Sequence, residues 1–323
     1  MAKDIDAGSG RFHDRVLGCL LGGLIGDAMG RPAENKSWRD IEREFGRITD
    51  FSGTGTDDSA LKHLLCDSII RTRGRVSAGD WAEEWLLQEK LFLERPVFWI
   101  PVMNSFWKIR SGEVPAREAG LGNMASSSSA MCISPVGIVN PGDHARAWRE
   151  GWDAASLIHH NFCRDAAALM AAAVALALAP DATVDSVLAG AVGVLPPEEA
   201  VMREAMGRTL GLARETRDYA AFRSRYYDEL MLPRIVAADS RETVPVALSL
   251  FLLARGDPGE TVIMGANFGR DADTIASMAG ALAGALSGAS ALPAGWKEKA
   301  AAAGGRDQEA LARSLEEVAR ARS

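Results

Sequence analysis

Two short stretches of the chain combine acidic and hydroxyl side chains in the same pattern. Residues 54–60 read TGTDDSA and residues 269–276 read GRDADTIA, and each places two aspartates and a threonine just before an apolar run. Helix capping is one interpretation, because threonine and aspartate accept hydrogen bonds at a helix start and acids favour its positive end. Capping accounts for one acid per helix and leaves a surplus acid and a threonine at both stretches.

The surplus acids favour a divalent cation. Adjacent carboxylates repel each other unless positive charge lies between them. Hard cations take oxygen ligands, whereas zinc prefers histidine and cysteine, and neither residue occurs in the two stretches. The pattern predicts that both stretches converge on two Mg²⁺ or Mn²⁺ ions, ~3.5 to 4 Å apart as in other two-metal sites.

The elements that must position these stretches are helices. Informative segments have helical periodicity, as in DQEALARSLEEVARAR, which places Leu311, Leu315 and Val318 on one face. Proline and glycine divide the chain into roughly ten or more helices. The sequence contains neither a long Ser/Gly/Pro linker nor a fixed repeat. We therefore predict a single compact all-α domain over residues 15–323 and a disordered N-terminus over residues 1–14.

Small residues recur every four positions in two of the predicted helices. This spacing puts them on one helix face, where another backbone can approach closely. The simplest interpretation is tight packing without chemistry. The two sets are Gly18, Gly22, Gly26 and Gly30 in the first helix, and Ala276, Gly280, Gly284 and Gly288 in the second.

Composition and charge limit the partners and the compartment. The 323 residues are 47% hydrophobic, which is enough for a large core, and the net charge is -7. The basic residues are scattered, unlike those of a nucleic-acid-binding surface. The four cysteines form no disulfide framework, the N-terminus is unlike a signal peptide, and the apolar runs are too short for a bilayer. We expect a cytoplasmic protein with reduced thiols and neither a nucleic-acid nor a membrane partner.

Three segments together resemble the ADP-ribosylglycohydrolases, a family that includes the dinitrogenase reductase activating glycohydrolase and hydrolases that remove ADP-ribose from arginine or serine. GCLLGGLIGDAMGRPAE resembles the opening helix of the family and its glutamate, GTGTDDSALKHLL its first metal motif, and NFGRDADTIASMAGALAGAL its second. The resemblance covers most of the chain and implies an all-α fold that binds two Mg²⁺ or Mn²⁺ ions in a central cleft. The implied metal ligands are Thr56, Asp57, Asp58, Asp271, Asp273 and Thr274.

The resemblance also implies the group that handles the proton. Glu34 follows a helix stopped by Gly30 and Pro32 and resembles the mobile glutamate of the family. Asp58 is the second choice for activating the water. Without the resemblance, Glu34 would be interpreted as a solvated loop acid.

Weaker matches suggest where the substrate binds. SLIHH resembles a Ser-x-x-His element that places His159 near the substrate, and SAMCISPVGI resembles a nucleotide-binding segment; a satisfied core histidine remains the alternative for His159. Departures accompany these matches: residues 126–128 are serines where many relatives have Gly-Asn-Gly, Cys132 replaces an arginine, and Arg270 replaces a glycine close enough to the metals to meet a phosphate or a neighbouring acid. The predicted substrate-binding residues are Ser127, Ser128, Ser129, Met131, His159 and Arg270.

An aromatic segment has two interpretations. FLERPVFWIPVMNSFWKIRSG forms either a lid or base-stacking wall, or an ordinary part of the core, as aromatic clusters more often do.

The predicted activity is metal-dependent hydrolysis of the glycosidic bond at the anomeric carbon of a ribose. Its partner would be an ADP-ribose-like or other ribosylated small molecule, or an ADP-ribosylated protein. The altered serine segment weakens the case for ADP-ribose itself and fits a hydrolase of smaller N-ribosides. A non-catalytic member of the family, like some crystallins, is a further alternative, although all expected ligands and Glu34 are present.

Overall fold

The computed structural model describes residues 10–94, 98–233 and 237–322, and within these ranges the regular secondary structure is entirely helical. Short 3₁₀ turns lie at residues 31–33, 116–118 and 289–291, and a π-helical turn at 226–230. The predicted all-α fold is confirmed, and the helices form one compact domain. The α-helices are α1 (Gly10–Gly30), α2 (Trp38–Phe45), α3 (Asp57–Arg71), α4 (Ala78–Leu87), α5 (Lys90–Leu93), α6 (Ile100–Ser111), α7 (Ser134–Ile138), α8 (His144–Ala155), α9 (Phe162–Ala177), α10 (Val184–Gly193), α11 (Ala200–Thr216), α12 (Tyr219–Arg225), α13 (Ser240–Leu253), α14 (Pro258–Ala266), α15 (Ala272–Ser287), α16 (Ala294–Ala302) and α17 (Gln308–Arg322).

The first helix starts earlier than the sequence predicted. It begins at Gly10, inside the segment expected to be disordered, and Phe12 is already buried. His13 pairs with Glu316 at 2.8 Å and with Glu309 at 3.1 Å, both on α17. These contacts with the end of the chain correct the boundary at residue 15; residues 1–9 lie outside the described part.

The closest helix pair is α1 with α15, and it forms through the small residues. The two helices run antiparallel, and a side chain at Gly18, Gly22, Gly26 or Gly30 would meet α15 or the turn after it within 3.0 Å. The sequence prediction of a close backbone approach is therefore confirmed. The facing pairs are Gly18 with Gly284, Gly22 with Gly280, Gly26 with Ala276, and Gly30 with Asp273.

Helix α15 lies at the centre of the molecule. It also contacts α14, α13 and α9, and every residue from 272 to 285 is buried. A helix that is apolar on all sides is stable only in such an enclosed position. No helix in the described ranges is both long and apolar enough to span a bilayer. Because α1 ends where α15 begins, the segment that carries Glu34 lies beside the second aspartate stretch.

Candidate metal centre

The first aspartate stretch forms the start of α3. Thr56 is the N-cap, and its hydroxyl oxygen accepts a hydrogen bond from the Asp58 amide at 3.4 Å. Asp57 is half-buried, whereas Asp58 is only 2% exposed. The Asp58 Oδ1 atom is buried and has no hydrogen-bond partner among the described residues. Capping therefore explains Thr56 and leaves Asp58 with an unused oxygen.

A buried aspartate on α1 holds this helix start in place. The carboxylate of Asp27, which is 0% exposed, accepts hydrogen bonds from the Thr56 amide at 2.9 Å and the Ser59 amide at 3.0 Å. The Ser59 hydroxyl donates to the same carboxylate at 2.5 Å. A side chain at Gly55 would lie 2.5 Å from Asp27 Oδ2. The loop before α3 thus packs directly onto α1, which fixes the direction of Asp57 and Asp58.

The second aspartate stretch forms the start of α15. Asp271 occupies the N-cap position, but its side chain makes no capping hydrogen bond with the described residues of that helix. Instead, Asp271 Oδ2 accepts a hydrogen bond from the Ser127 hydroxyl at 2.9 Å. Asp273 and Thr274 follow in the first turn and are buried. Like Asp58, Asp273 has a buried carboxylate oxygen, Oδ1, without a partner in the described chain.

The two stretches meet in space, as predicted. The Thr274 hydroxyl donates to Asp58 Oδ2 at 3.3 Å, although the two residues are 216 positions apart. Glu34 joins the group from the turn after α1: one carboxylate oxygen from each of Glu34, Asp271 and Asp273 lies within 4.8 Å of the other two. Glu34 is exposed, whereas the two aspartates are buried.

Burial makes this cluster resist ionisation in the absence of a cation. Burial, reinforced by neighbouring carboxylates, raises the pKa of Asp57 to about 6. Burial also raises the pKa of Asp271 to about 7, against the opposing hydrogen bond from Ser127. The pKa values of Asp58 and Asp273 are raised well above their usual range, again by burial first and then by nearby acids. A cation between the carboxylates would relieve both effects.

The donor set fits a hard divalent cation. The atoms that face one another are carboxylate and hydroxyl oxygens, which are the ligands of Mg²⁺ and Mn²⁺. The unpartnered oxygens of Asp58 and Asp273 are unusual, because buried polar atoms almost always have a partner. Their lone pairs would be satisfied by a bound ion.

The serine segment, residues 126–129, lies next to the second aspartate stretch. Its hydroxyls have hydrogen-bond partners within the protein. His159 is 0% exposed and pairs with Ser126 Oγ through Nε2 at 3.0 Å and with Ser129 Oγ through Nδ1 at 2.8 Å. Ser128 Oγ pairs with Ser126 Oγ at 2.9 Å. Burial lowers the pKa of His159 to about 3, so the ring is neutral at physiological pH. His159 is therefore a core histidine with both ring nitrogens hydrogen-bonded, which is the alternative interpretation that the sequence allowed.

A family model described as ADP-ribosylglycohydrolase matches residues 9–323 of this chain. The chain belongs to the ADP-ribosylglycohydrolase family. This membership confirms the resemblance seen in the three motifs and identifies the protein as a hydrolase-family member. The family is generally metal-dependent, which agrees with the acidic cluster.

Relatives of this chain occur in a bacterium and an archaeon. The uncharacterized protein YegU of Escherichia coli is 26% identical over 291 residues, covering 83% of this chain and 86% of YegU. An uncharacterized protein of Archaeoglobus fulgidus is 25% identical over 318 residues, covering 89% and 92%. A solved structure titled ADP-ribosylglycohydrolase-related protein complex has a TM-score of 0.70 at 22% identity and covers 97% of this chain and 99% of its own. That structure supports the fold.

Five of the six predicted substrate-binding residues are buried, namely Ser127, Ser128, Ser129, Met131 and His159. The hydroxyls of Ser126 to Ser129 bond to protein groups, so they do not project into open space as an obstacle to a diphosphate. Met131 Sδ lies 4.0 Å from the Thr274 hydroxyl, beside the acidic cluster. Cys132 is 0% exposed, donates to the Ser128 carbonyl at 3.4 Å, and has its pKa raised well above the usual value by burial. The Cys132 thiol is therefore uncharged at physiological pH.

The Arg270 side chain forms an ion pair with a buried glutamate. Its Nε donates to Glu242 Oε1 at 2.9 Å, and Glu242 is 0% exposed in the first turn of α13. From the sequence, Arg270 was expected to contact either a phosphate or a neighbouring acid. The structure shows the contact with the acid, Glu242.

The aromatic segment contributes to both the core and the site. Phe92, Phe98 and Phe106 are buried, and the Phe92 and Phe106 rings stack with centroids 4.3 Å apart. Trp99 occupies the N-cap position of α6, and its backbone N–H opposes the rise that burial causes in the pKa of Asp57. Residues 95–97, which belong to the same sequence segment, lie outside the described residues. The core interpretation holds for the three phenylalanines.

Two supporting residues escaped the sequence analysis. Asp27 carried a signal, a single charge within the apolar run of residues 16–30, but its partners are backbone amides at the start of α3, 29 to 32 residues away. Lys62 lies one turn after Asp58 in α3, is 1% exposed, and has an Nζ atom without a hydrogen-bond partner in the described ranges. A lysine in a helical apolar run would have been interpreted as an exposed residue.

Proposed function

We propose that this protein is a divalent-metal-dependent hydrolase that cleaves the glycosidic bond at the anomeric carbon of a ribose, in an ADP-ribosylated or related ribosylated substrate. The observation that carries the proposal is the contact of Thr274 with Asp58, beside the close approach of Glu34 to Asp271 and Asp273. It joins two distant sequence motifs and an exposed carboxylate in one place.

Six residues would hold two Mg²⁺ or Mn²⁺ ions in this proposal. When bound, such ions orient ribose hydroxyls and stabilise negative charge on oxygen. The unpartnered oxygens of Asp58 and Asp273 support the assignment, as do the raised pKa values of the four aspartates. The residues are Thr56, Asp57, Asp58, Asp271, Asp273 and Thr274.

Glu34 is the proposed general base. It is the exposed member of the acidic group, so its carboxylate can reach a water and a substrate that enter from solvent. In the proposed step the water oxygen bonds to the anomeric carbon, the bond to the leaving group breaks, and Glu34 takes the proton of the water and passes it to the leaving group. Asp58 is the second candidate for activating the water.

The substrate proposal concerns the group attached to the ribose. The serine hydroxyls are occupied by His159 and Asp271, and Cys132 is uncharged, so this side of the site offers a diphosphate neither open hydroxyls nor a cation. Sites built to bind one group discriminate strongly against ligands that lack it. We expect weak release of ADP-ribose from modified arginine and better turnover of another ribosylated compound, with smaller N-ribosides as the second candidate.

A turnover screen tests the activity and the substrate class. ADP-ribosyl-arginine, ADP-ribosyl-serine, O-acetyl-ADP-ribose and simple ribonucleosides would be incubated with the protein and Mg²⁺ or Mn²⁺, and the released ribose compound measured. Cleavage of at least one substrate that depends on the metal and on Glu34 supports the proposal. Efficient cleavage of ADP-ribosyl-arginine, with free ADP-ribose as a tight inhibitor, would make the serine segment a neutral variation.

A non-catalytic role makes a different prediction for metal binding. Family members reused as structural proteins, like crystallins, need not keep a metal site, whereas the proposed enzyme binds Mg²⁺ or Mn²⁺ before any substrate is added. Isothermal titration with each metal separates the two. An absence of binding at millimolar metal would favour the structural role.

A further inference from the structure

The segment after Glu34 is joined to the residue before Asp271 by a reciprocal pair of hydrogen bonds. The Asn35 amide donates to the Arg270 carbonyl at 2.6 Å, and the Arg270 amide donates to the Lys36 carbonyl at 2.7 Å. Glu34 immediately precedes one side of this pair, and Asp271 immediately follows the other. The two acids therefore share a single backbone connection, which we call the 35–270 bridge.

The bridge requires a backbone conformation that is unfavourable for an arginine. Asn35, Gly269 and Arg270 have φ angles of 61°, 84° and 64°, all in the left-handed region. Glycine adopts this region without a penalty and asparagine tolerates it, whereas a long side chain is uncommon there. Something else must hold Arg270 in this conformation.

The Arg270 side chain supplies that support. Its Nε donates to Glu242 Oε1 at 2.9 Å, and its Nη2 lies 3.4 Å from the Leu232 carbonyl. Glu242 is fully buried in the first turn of α13, a helix whose Ser240 hydroxyl also donates to the Ser126 carbonyl at 2.7 Å. Charge-assisted hydrogen bonds of this kind are stronger than neutral ones. The arginine is thereby anchored to a rigid core helix.

The neighbouring glycine seats the bridge closely. A side chain at Gly269 would lie 2.6 Å from the Lys36 carbonyl and 2.7 Å from Tyr227 Oη. Tyr227 in turn donates to the Phe268 carbonyl at 2.9 Å. The backbone segments at residues 35–36 and 269–270 are therefore in contact with each other and with the turn after α12.

We propose that Arg270 is a positioning residue for Glu34: its ion pair with Glu242 stabilises the left-handed turn and, through the 35–270 bridge, keeps the Glu34 carboxylate beside Asp271 and Asp273. This inference rests on the proposed function for the role of Glu34, but the bridge itself does not. Arg270 acts from behind the site, since its guanidinium faces Glu242, and it does not bind the substrate in this proposal.

The substitution Arg270→Gly tests the anchor without straining the backbone. Glycine fits the observed φ, so the fold should survive, while the link to α13 is removed. We expect amide hydrogen exchange at Asn35 and residue 270 to become about tenfold faster or more. If Glu34 is the base, kcat should fall severalfold with little change in KM. Unchanged exchange at these two amides would overturn the inference, whatever the activity.

Arg255→Gly is a matched control. Arg255 is exposed and has a φ of 53°, so the same substitution removes a left-handed arginine that is distant in sequence from the site. Exchange at Asn35 should be unchanged in this variant. Equal acceleration in both variants would mean a general loss of stability and would also overturn the inference.

A double variant handles the charge left behind in the core. Arg270→Gly removes the Arg270 ion pair from Glu242, and a buried charge that loses a partner of this kind destabilises proteins strongly. Arg270→Gly with Glu242→Gln removes that charge and should still show faster exchange at Asn35; normal protection there would contradict the anchoring role. If exchange depends on Arg270 but the wild-type protein cleaves no ribosylated compound, the bridge stands and the proposed function fails.

Discussion

The acidic cluster and the serine segment lie next to each other, but they differ in whether their buried polar atoms have hydrogen-bond partners. In the cluster, Asp58 and Asp273 each have a buried oxygen without a partner in the described chain. In the serine segment, the hydroxyls of residues 126–129 all bond to a histidine, an aspartate or one another. A buried polar atom without a partner lowers the stability of the folded protein. The cluster therefore has acceptor oxygens left for an added ligand, whereas the serine hydroxyls already have partners within the protein.

Removal of the metal should have the largest effect. The comparison implies that the cluster needs cations and the serine segment does not. We expect excess EDTA to reduce turnover to the background rate and added Mg²⁺ or Mn²⁺ to restore it. The measurement is steady-state turnover of the best substrate from the screen, before and after chelation. Full activity in excess EDTA would show that the unpartnered oxygens have no catalytic ligand.

Replacement of Glu34 should have the next largest effect. Glu34→Gln is nearly isosteric, so the fold and both metals should be retained while turnover falls by ~10²-fold or more. Glu198→Gln, which changes an exposed glutamate outside the acidic cluster, is the matched control. Turnover and metal affinity would be measured in both variants. If Glu34→Gln turns over normally, the role passes to Asp58.

The free energy of unfolding of the metal-free protein should decrease as the pH rises. Burial raises the pKa of Asp271 to about 7 and that of Asp57 to about 6, compared with ~3.9 for an unfolded aspartate. Between these values the folded protein binds more protons than the unfolded chain, so the free energy of unfolding falls as pH rises from about 4 to about 7.

Thermal melts in EDTA test this dependence. We expect the Tm at pH 8 to be ~5 °C or more below the Tm at pH 5, and Mg²⁺ to close most of the difference. Asp271→Asn should flatten the profile, because an amide does not titrate. A Tm in EDTA that rises steadily from pH 5 to pH 8 would contradict the raised pKa values.

His159→Asn should have the smallest effect on turnover and should act through stability. The substitution removes one of two hydrogen-bonded ring nitrogens, and we expect it to lower the free energy of unfolding by about 1–3 kcal/mol. Metal affinity should change little, since His159 bonds to Ser126 and Ser129, whereas the hydrogen bond to Asp271 of the acidic cluster comes from Ser127. His144→Asn, at the start of α8, is the control, with urea unfolding and metal titration as the measurements. A large loss of metal affinity would show that the serine segment and the acidic cluster function as one unit.

The sequence predicted what depended on local spacing. Four-residue spacing put the glycines of α1 on one face, and the surplus acids at two helix starts indicated that the starts would meet. Both predictions use regularities of the helix that any helical segment obeys.

The sequence could not predict which polar groups would pair across the fold. The serines were predicted to bind the substrate, and the direction of two of their hydroxyls depends on His159, which lies in the turn after α8. Similarly, the role of Arg270 depends on a left-handed backbone and on Glu242, 28 residues away. Such pairings are set by tertiary packing and leave no periodic signal.

The contact of α1 with α15 acts as a fixed spacer for the whole acidic cluster. Asp27 and the segment of Glu34 belong to one helix end, and Asp271 and Asp273 to the facing start of the other. Since backbone touches backbone between them, no side chain is available to absorb a change in separation. A single methyl group at Gly22, about 12 Å along the helix from its last residue, would have to push the two helices apart. The separation of the two helix ends that carry the acidic cluster is therefore set by glycines distant from it, and we expect a side chain at Gly22 to alter the cluster without touching it.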